Sequence, residues 1–400
     1  MTEQLKLKLN DSKATRWGAL VIVAFTMMAA YYVNDVVAPL KTMLETDLAW
    51  SSTDFGFFTG GYSFLNVFFL MLIWGGLILD RFGIRFTGKL ATILMVGGTA
   101  LEYYAMTGLA GADATLFGIN EILGYKTGVF VAFAGYSIFG VGAEVAGITV
   151  SKIIAKWFKG KELATAMGVQ VALARIGSQA GYAVAIPLAR AFGISTPVLL
   201  GLVLLLGGMI AFFIFAVMDK KLDKQMEAAA IAAGTEDEEE KFSFKDVKNI
   251  LVNPGFWLIA LLCVLFYSCV FPFQKFASEL MIIKYGINEN VAGTFAGLPA
   301  LGALILTPVF GGFIDKRGKS ASIMLLGSAM LICVHFIYAI PDINYWLVAI
   351  VLMIILGIAF SLVPSAMWPA VAKIFPVSQL GTAYALIFFI QNIGLWGIPT

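Results

Sequence analysis

The sequence predicts an all-α membrane protein built as two helical bundles, and three observations predict it. Of 400 residues, 60% are hydrophobic and only 13% are charged, whereas a soluble domain keeps about a quarter of its residues charged. Eleven stretches are apolar over the roughly 20 residues that a helix needs to cross a bilayer core. Lysine and arginine crowd into every second connection, which is the charge asymmetry that orients helices in a membrane.

The first 16 residues are polar and carry no small-residue cleavage site, so they read as an arm. Six spans follow, near 17–40, 55–79, 87–108, 127–150, 162–188 and 196–218. They make an N-terminal bundle over 17–218. Residues 219–253 are charged, rich in alanine and poor in aromatics, and read as a partly helical linker with an acidic run at Glu236–Glu240. Spans near 255–282, 291–314, 320–340, 346–371 and 380–400 make a second bundle over 254–400.

One set of connections holds Lys6 to Arg16, Arg81, Arg85 and Lys89, Lys152 to Lys161, Lys220 to Lys248, Lys316 to Lys319, and Lys373. The other set holds only Lys41, Lys126, Arg190 and Lys284. The arm, the linker and the first set are therefore expected on the cytoplasmic side. A net charge of +2 gives no reason to expect nucleic acid. The single histidine, His335, leaves no histidine-based metal site or triad and reads as a hydrogen-bonded helix residue. Cys263, Cys269 and Cys333 lie in apolar runs without metal spacing and read as buried fillers. No cofactor, metal or catalytic residue is expected, and an enzyme is not.

Polar residues inside the spans carry the functional reading, since an intramembrane charge costs about 2.5–3.5 kcal/mol on insertion scales and normally faces a cavity. Glu144 lies eight residues before Lys152 on the fourth span, or roughly 12 Å along a helix. Arg175 lies 14 residues past Lys161 on the fifth, or roughly 21 Å. Glycines 140, 142 and 147 leave room beside Glu144. A structural Glu144–Arg175 staple is the plainer alternative, but buried pairs stabilise poorly compared with apolar packing. Asp35, Tyr62, Asn66, Lys275, Trp368, Gln391 and Asn392 are further candidates for binding substrate. Pro272 in "FPF" and Pro369 suggest kinks.

"GGLILDRFGIR" after the second span and "GGFIDKRGKS" after the eighth repeat one pattern: Gly, four residues on an Asp, then a cation and a Gly. With its two copies in matching positions, the chain resembles the major facilitator superfamily. The motif residues are Gly76, Asp80, Arg81, Gly83 and Arg85, with Gly311, Asp315, Lys316 and Gly318 in the second copy. The resemblance implies two six-helix bundles and a gating latch, in which Gly76 admits a close helix and Asp80 meets positive groups of the other half. It also implies a twelfth span, which is missing from these 400 residues and points to a truncated C-terminus.

"WFKGKELATAMGVQVALARIGS", "VFPF", "MWPAVA" and "QLGTAYALIFFIQNIG" are similar to the lysosomal dipeptide uniporter branch of that superfamily. The resemblance implies that Glu144 and Arg175 contact the dipeptide backbone. An acid suits the terminal ammonium and a guanidinium the carboxylate. Lys275 departs from that branch, and the arm lacks an acidic dileucine signal, so a prokaryotic cytoplasmic membrane is expected. The expected function is alternating-access transport of dipeptides or similar small zwitterions, by uniport or proton coupling through Glu144 or Asp35. The alternatives are a proton-coupled transporter or antiporter of small organic anions, bound by Arg175 and Lys275 together, and a transport-dead scaffold. The expected partners are the small-molecule substrate and the lipid bilayer; no accessory subunit is identified.

Overall fold

The computed structural model describes residues 8–111, 114–159, 161–233, 244–375 and 377–399. Each apolar stretch is helical. Helix α1 (Lys13–Val36) starts at Ser12, whose hydroxyl accepts from the Thr15 amide. A 3-10 turn at Ala38–Leu40, set by Pro39, leads into the short α2 (Lys41–Asp47). Helix α3 (Ser52–Phe68) opens on a capping box between Ser51 and Asp54. It bends by 59° into α4 (Met71–Thr107) across Leu70. A two-stranded hairpin, β1 (Glu121–Ile122) and β2 (Tyr125–Lys126), precedes α5 (Thr127–Trp157). Helices α6 (Leu163–Phe192) and α7 (Thr196–Ala233) complete the first half.

Helix α7 continues well past a membrane thickness, and α8 (Phe244–Val252) also falls within the expected linker. Residues 234–243, with the Glu236–Glu240 run, lie outside the described residues. The second half comprises α9 (Pro254–Ile283), α10 (Glu289–Ala296), α11 (Leu298–Arg317), α12 (Ser320–Ala339), α13 (Trp346–Ile374) and α14 (Val377–Gly397). Pro272 lies inside α9, and Pro364 and Pro369 lie inside α13.

By length and composition, seven helical stretches among the described residues could cross a membrane, or eight with the bent α3–α4 pair taken as one. That is fewer than eleven for physical reasons. Helix α4 fuses the third stretch to a charged turn, α6 carries Arg175, and α14 offers only Thr382–Gly397 as an apolar run.

The two motif copies fold alike. Gly83 adopts φ 74° inside α4, and Gly318 adopts φ 68° at the end of α11. Both values lie where a Cβ is disfavoured, so each glycine lets the chain turn between consecutive spans.

Buried apolar side chains divide into two main cores. One draws on α1 to α7 and the other chiefly on α8 to α14, with Ala38 and Tyr182 of the first half joining it. One face of the molecule carries the arm and the cation-rich turns and is called the basic face below. There Asp11 pairs with Lys161 at 2.8 Å and Arg16 with Glu162 at 2.8 Å, docking the arm on the start of α6. The fully buried Asp219 of α7 accepts from Lys156 Nζ at 2.7 Å and Trp157 Nε1 at 2.9 Å. Arg85 and Lys156 each reach Asp223 at 2.5 Å, so α4, α5 and α7 share one charge cluster.

The bundles meet near the opposite, far face. Lys41 pairs with Glu279 at 2.5 Å, Arg190 pairs with Glu289, and Lys275 pairs with Asp35 at 3.4 Å. The Tyr182 hydroxyl donates to the Gln274 carbonyl at 3.1 Å, and the Phe55 and Phe276 rings meet edge to face at 5.4 Å. At the basic face, a Cβ built on Gly76, Gly311 or Gly318 would meet nothing within 4 Å. Among the described residues, the charge pairs that join the bundles lie toward the far face.

Candidate functional site

Close helix contacts place the central charges. On α5, Gly140 packs against the Tyr62 backbone of α3, and Gly142 packs against α4 at Ala91 and Met95. These glycines are spent on packing, so the space beside Glu144 comes from Gly147, whose nearest neighbour lies at 4.0 Å. With α3 drawn in, the Tyr62 hydroxyl donates to Glu144 Oε1 at 3.0 Å. On α6, Gly177 packs against the Met28 backbone of α1. That approach sets the Tyr31 ring, one turn along, against Arg175.

The Arg175 guanidinium lies between two aromatic faces, 5.5 Å from the Tyr31 ring and 4.9 Å from the Phe360 ring of α13. Aromatic faces attract a cation by their quadrupole without using its hydrogen-bond donors. Arg175 is half-buried, and among the described residues no side chain or carbonyl accepts from it. Glu144 is also half-buried, and its second oxygen has no bonded partner among the described residues. The two do not pair with each other, so the helix-staple alternative does not describe this structure. They form an anion and a cation not bonded to each other, and Phe360 of the second bundle flanks the cation.

Lys275 and Asp35 lie about one helix turn beyond the central charges, toward the far face: Asp35 is four residues past Tyr31 on α1, and the Tyr136 ring that Lys275 meets is 5.7 Å from the Tyr62 ring. Both are buried and bonded to each other. Lys275 also donates to the Asn34 carbonyl and to the Tyr136 hydroxyl at 3.2 Å. Asn34 donates from its amide to Asp35 at 2.9 Å, and the Tyr136 hydroxyl donates to the Asn34 carbonyl at 2.9 Å. Every Lys275 contact to Asp35, Asn34 or Tyr136 crosses from α9 to the first bundle.

The remaining candidates divide. Trp368 is half-buried; its indole N–H donates to the Tyr267 hydroxyl at 3.3 Å and its ring stacks on Phe388 at 4.9 Å. Asn66, Gln391 and Asn392 are buried. Gln391 accepts from the Cys263 thiol at 3.4 Å, while the amide oxygens of Asn66 and Asn392 have no protein partner. In the motif, Arg81 and Lys316 are exposed, and Arg85 is bound to Asp219 and Asp223 of its own half. The side chains of Asp80 and Asp315 lie outside the described residues.

Two features were missed from the sequence. Glu102 of α4 is fully buried, and neither carboxyl oxygen has a hydrogen-bond partner in the protein. The signal was an acid six residues inside the end of the third span. Tyr31 and Phe360 flank Arg175, and among so many aromatics nothing in the sequence marks them. His335 bonds the Leu331 and Cys269 carbonyls, as a helix residue would. Of the cysteines only Cys263 is buried; Cys269 and Cys333 are exposed, which corrects the filler reading, because apolar runs facing lipid are exposed in the protein itself. No metal-ligating group occurs among the described residues.

Two apolar helical bundles joined by charge pairs toward one face, and holding an acid and a base that do not pair with each other, have the build of a membrane transporter. The chain belongs to the Major Facilitator Superfamily, whose family model matches residues 20–397. It is an integral, multi-pass membrane protein. It is 29% identical to the human lysosomal dipeptide transporter MFSD1 over 96% of this chain and 78% of that protein. It is 28% identical to the Danio rerio protein of the same name, over 94% and 77%. Among solved structures it resembles the inward-open xylose transporter XylE from E. coli, with TM-score 0.68 and 15% identity over 96% of this chain and 88% of that one. A bacterial homologue of the lysosomal transporter Spinster, inward-facing and unoccupied, aligns with TM-score 0.65 and 16% identity over 97% and 82%.

Proposed function

We propose that the protein carries dipeptides or similar small zwitterions across a membrane by alternating access. One observation carries this reading: Glu144 and Arg175 stand half-buried between the bundles, each with unused valence and neither bound to the other. A zwitterion supplies both missing partners. Its ammonium bonds the free Glu144 oxygen, and its carboxylate takes the planar fork of Arg175. Two extended residues span roughly 7 Å, a distance suited to neighbouring helices. The relatives named for dipeptide transport support the same reading.

The organic-anion alternative needs a second cation beside Arg175. Lys275 is buried and already bonded to Asp35, the Asn34 carbonyl and the Tyr136 hydroxyl, so it offers that alternative no free cation. With the basic face in the cytoplasm, the far-face pairs close the outward side in the present state, and the membrane is a prokaryotic cytoplasmic one. Labelling of an introduced cysteine in the arm from either side of sealed vesicles tests the orientation.

Ligand-induced thermal shift of purified protein tests the site without requiring transport. A free dipeptide should stabilise; N-acetylated and amidated dipeptides should not, because each strands a buried protein charge. Glu144→Gln should lose its sensitivity to N-acetylation, and Arg175→Gln its sensitivity to amidation. Equal responses to free and blocked dipeptides in the parent protein would refute the assignment. Counterflow in proteoliposomes, with and without a pH gradient, separates uniport from proton coupling.

A further inference from the structure

Glu102 of α4 is a buried acid that the substrate site does not use. It is 0% exposed, and neither carboxyl oxygen has a hydrogen-bond partner among the described residues. A close helix crossing fixes its place. A Cβ built on Gly135 of α5 would lie 2.6 Å from the Gly98 carbonyl oxygen and 2.9 Å from the Glu102 amide nitrogen. The next residue of α5 is Tyr136, whose hydroxyl meets the Lys275 ammonium at 3.2 Å. Glu102 thus lies beside Tyr136, on the first-bundle side of the boundary. The Lys275 ammonium acts on the Glu102 carboxyl electrostatically without bonding it, and no other charged group among the described residues does so. Tyr136 in turn feels both Glu102 and Asp35 of α1.

These groups make one cluster: the carboxyls of Asp35 and Glu102, the ammonium of Lys275 and the phenol of Tyr136. Asp35 takes the ammonium, at 3.4 Å. With both carboxyls ionised, one negative charge would stand uncompensated in a dry site, which is costly. With a proton on Glu102 the cluster is neutral. One proton therefore belongs to the sealed arrangement. Lys275 is the member supplied by the second bundle, and its bonds to Asp35, Asn34 and Tyr136 all cross the boundary. Opening the far face withdraws it and lets water take its place. A carboxyl that reaches water is free to ionise at neutral pH.

We propose that Glu102 is a proton-binding site loaded from the far side, and that its proton licenses the far-face seal. The proton is the ligand, and only the carboxyl O–H bond forms or breaks. Far-side water supplies the proton when the bundles part. Lys275 then returns to Asp35 and closes on a neutral Glu102. The proposal rests on the alternating-access part of the reading above and not on the nature of the substrate. Its sign follows from the proton count. The sealed state holds one proton more than the open state, so far-side acid favours the seal and a rise in far-side pH favours opening.

The test reads far-face opening against far-side pH in sealed vesicles holding the full chain. A cysteine replaces Ser278, a buried α9 position one turn beyond Lys275, with Cys269 and Cys333 changed to serine. An impermeant maleimide is added from the far side over a range of about two pH units around neutrality. The same reporter in Glu102→Gln, which cannot ionise, gives the pH dependence of the thiol reaction alone. The ratio of labelling without the Gln change to labelling with it should rise about tenfold per pH unit, the slope of one proton. Glu102→Asp keeps an acid and should keep the slope, which a packing effect of the Gln change would not give. A flat ratio would overturn the proton site and leave the dipeptide site, read by thermal shift, standing. No far-side labelling at any pH, even in Lys275→Met, would overturn alternating access and this proposal with it.

Discussion

Replacing Lys275 with methionine isolates the far-face closure. Lys275 is 9% exposed and Asp35 is 6% exposed, so their pair at 3.4 Å is desolvated in the present state. Methionine fills similar space but leaves the Asp35 carboxylate without its cation. Removing one partner of a buried pair costs about 3–5 kcal/mol. The long separation argues for the lower figure. The penalty falls only on the sealed state, because opening the far face gives Asp35 water. A bias of about 3 kcal/mol moves the open-to-sealed ratio roughly a hundredfold. The reporter is Ser278→Cys, a buried α9 position near the pair, in a background with Cys269 and Cys333 changed to serine. A membrane-impermeant maleimide added from the far side should label it roughly a hundredfold faster in Lys275→Met, in proportion to the population shift. Adding Asp35→Asn removes the stranded charge and should return labelling toward the parent rate. Equal labelling in parent and Lys275→Met, or no effect of the second change, would refute the closure role.

Arg175→Lys should weaken dipeptide binding by about 10- to 100-fold with folding intact, since a point charge does not reproduce a bidentate fork; titration calorimetry reads the loss. Glu102→Leu should raise the melting temperature of the detergent-purified protein, because an unpartnered buried polar group gives way to an apolar one; a fall would mean that Glu102 has a bonded partner. The arm should loosen in acid. The Lys161 ammonium, and then the Lys8 amide, hold the Asp11 carboxyl below its usual value. A depressed carboxyl stabilises the docked arm above its ordinary range and loses that contribution as pH falls through the lowered value. A spin label at position 8 should be restrained at neutral pH and gain mobility only below the ordinary carboxylate range.

The fold was legible because lipid imposes a coarse rule on composition: long apolar stretches, cations on one side, and a motif written twice. Gly83 and Gly318 show that the repeat is one of backbone geometry as well as of letters. The Glu144 and Arg175 positions were legible because a charge in the middle of an apolar span needs a reason. What surrounds them was not. Tyr31 and Phe360 are ordinary members of aromatic-rich helices until the tertiary contact is known. Lys275 misled because its depth says that it needs a partner, but not that the partner is Asp35 of the first bundle, to which it is bonded across the boundary. Arg85 shows the same limit: the motif marks it, but not that its bonds are to Asp219 and Asp223 of its own half.

The charges between the bundles serve two different ends, and their valence separates them. At the far face Lys41, Lys275 and Arg190 are each satisfied across the bundle boundary by Glu279, Asp35 and Glu289. Satisfied pairs hold a state. At the centre, among the described residues, Arg175 has two ring faces and no acceptor, and one of those rings belongs to the other bundle. On the reading proposed above, such unsatisfied groups take the ligand. A ligand moves a conformational equilibrium only by its differential affinity for the two states. Since Phe360 flanks Arg175 from across the boundary, any swing of the bundles that opens the far face must change what flanks the guanidinium. The carboxylate site therefore differs between states by at least one aromatic face. That difference is the means by which occupancy of the centre can act on the three pairs that seal the far side.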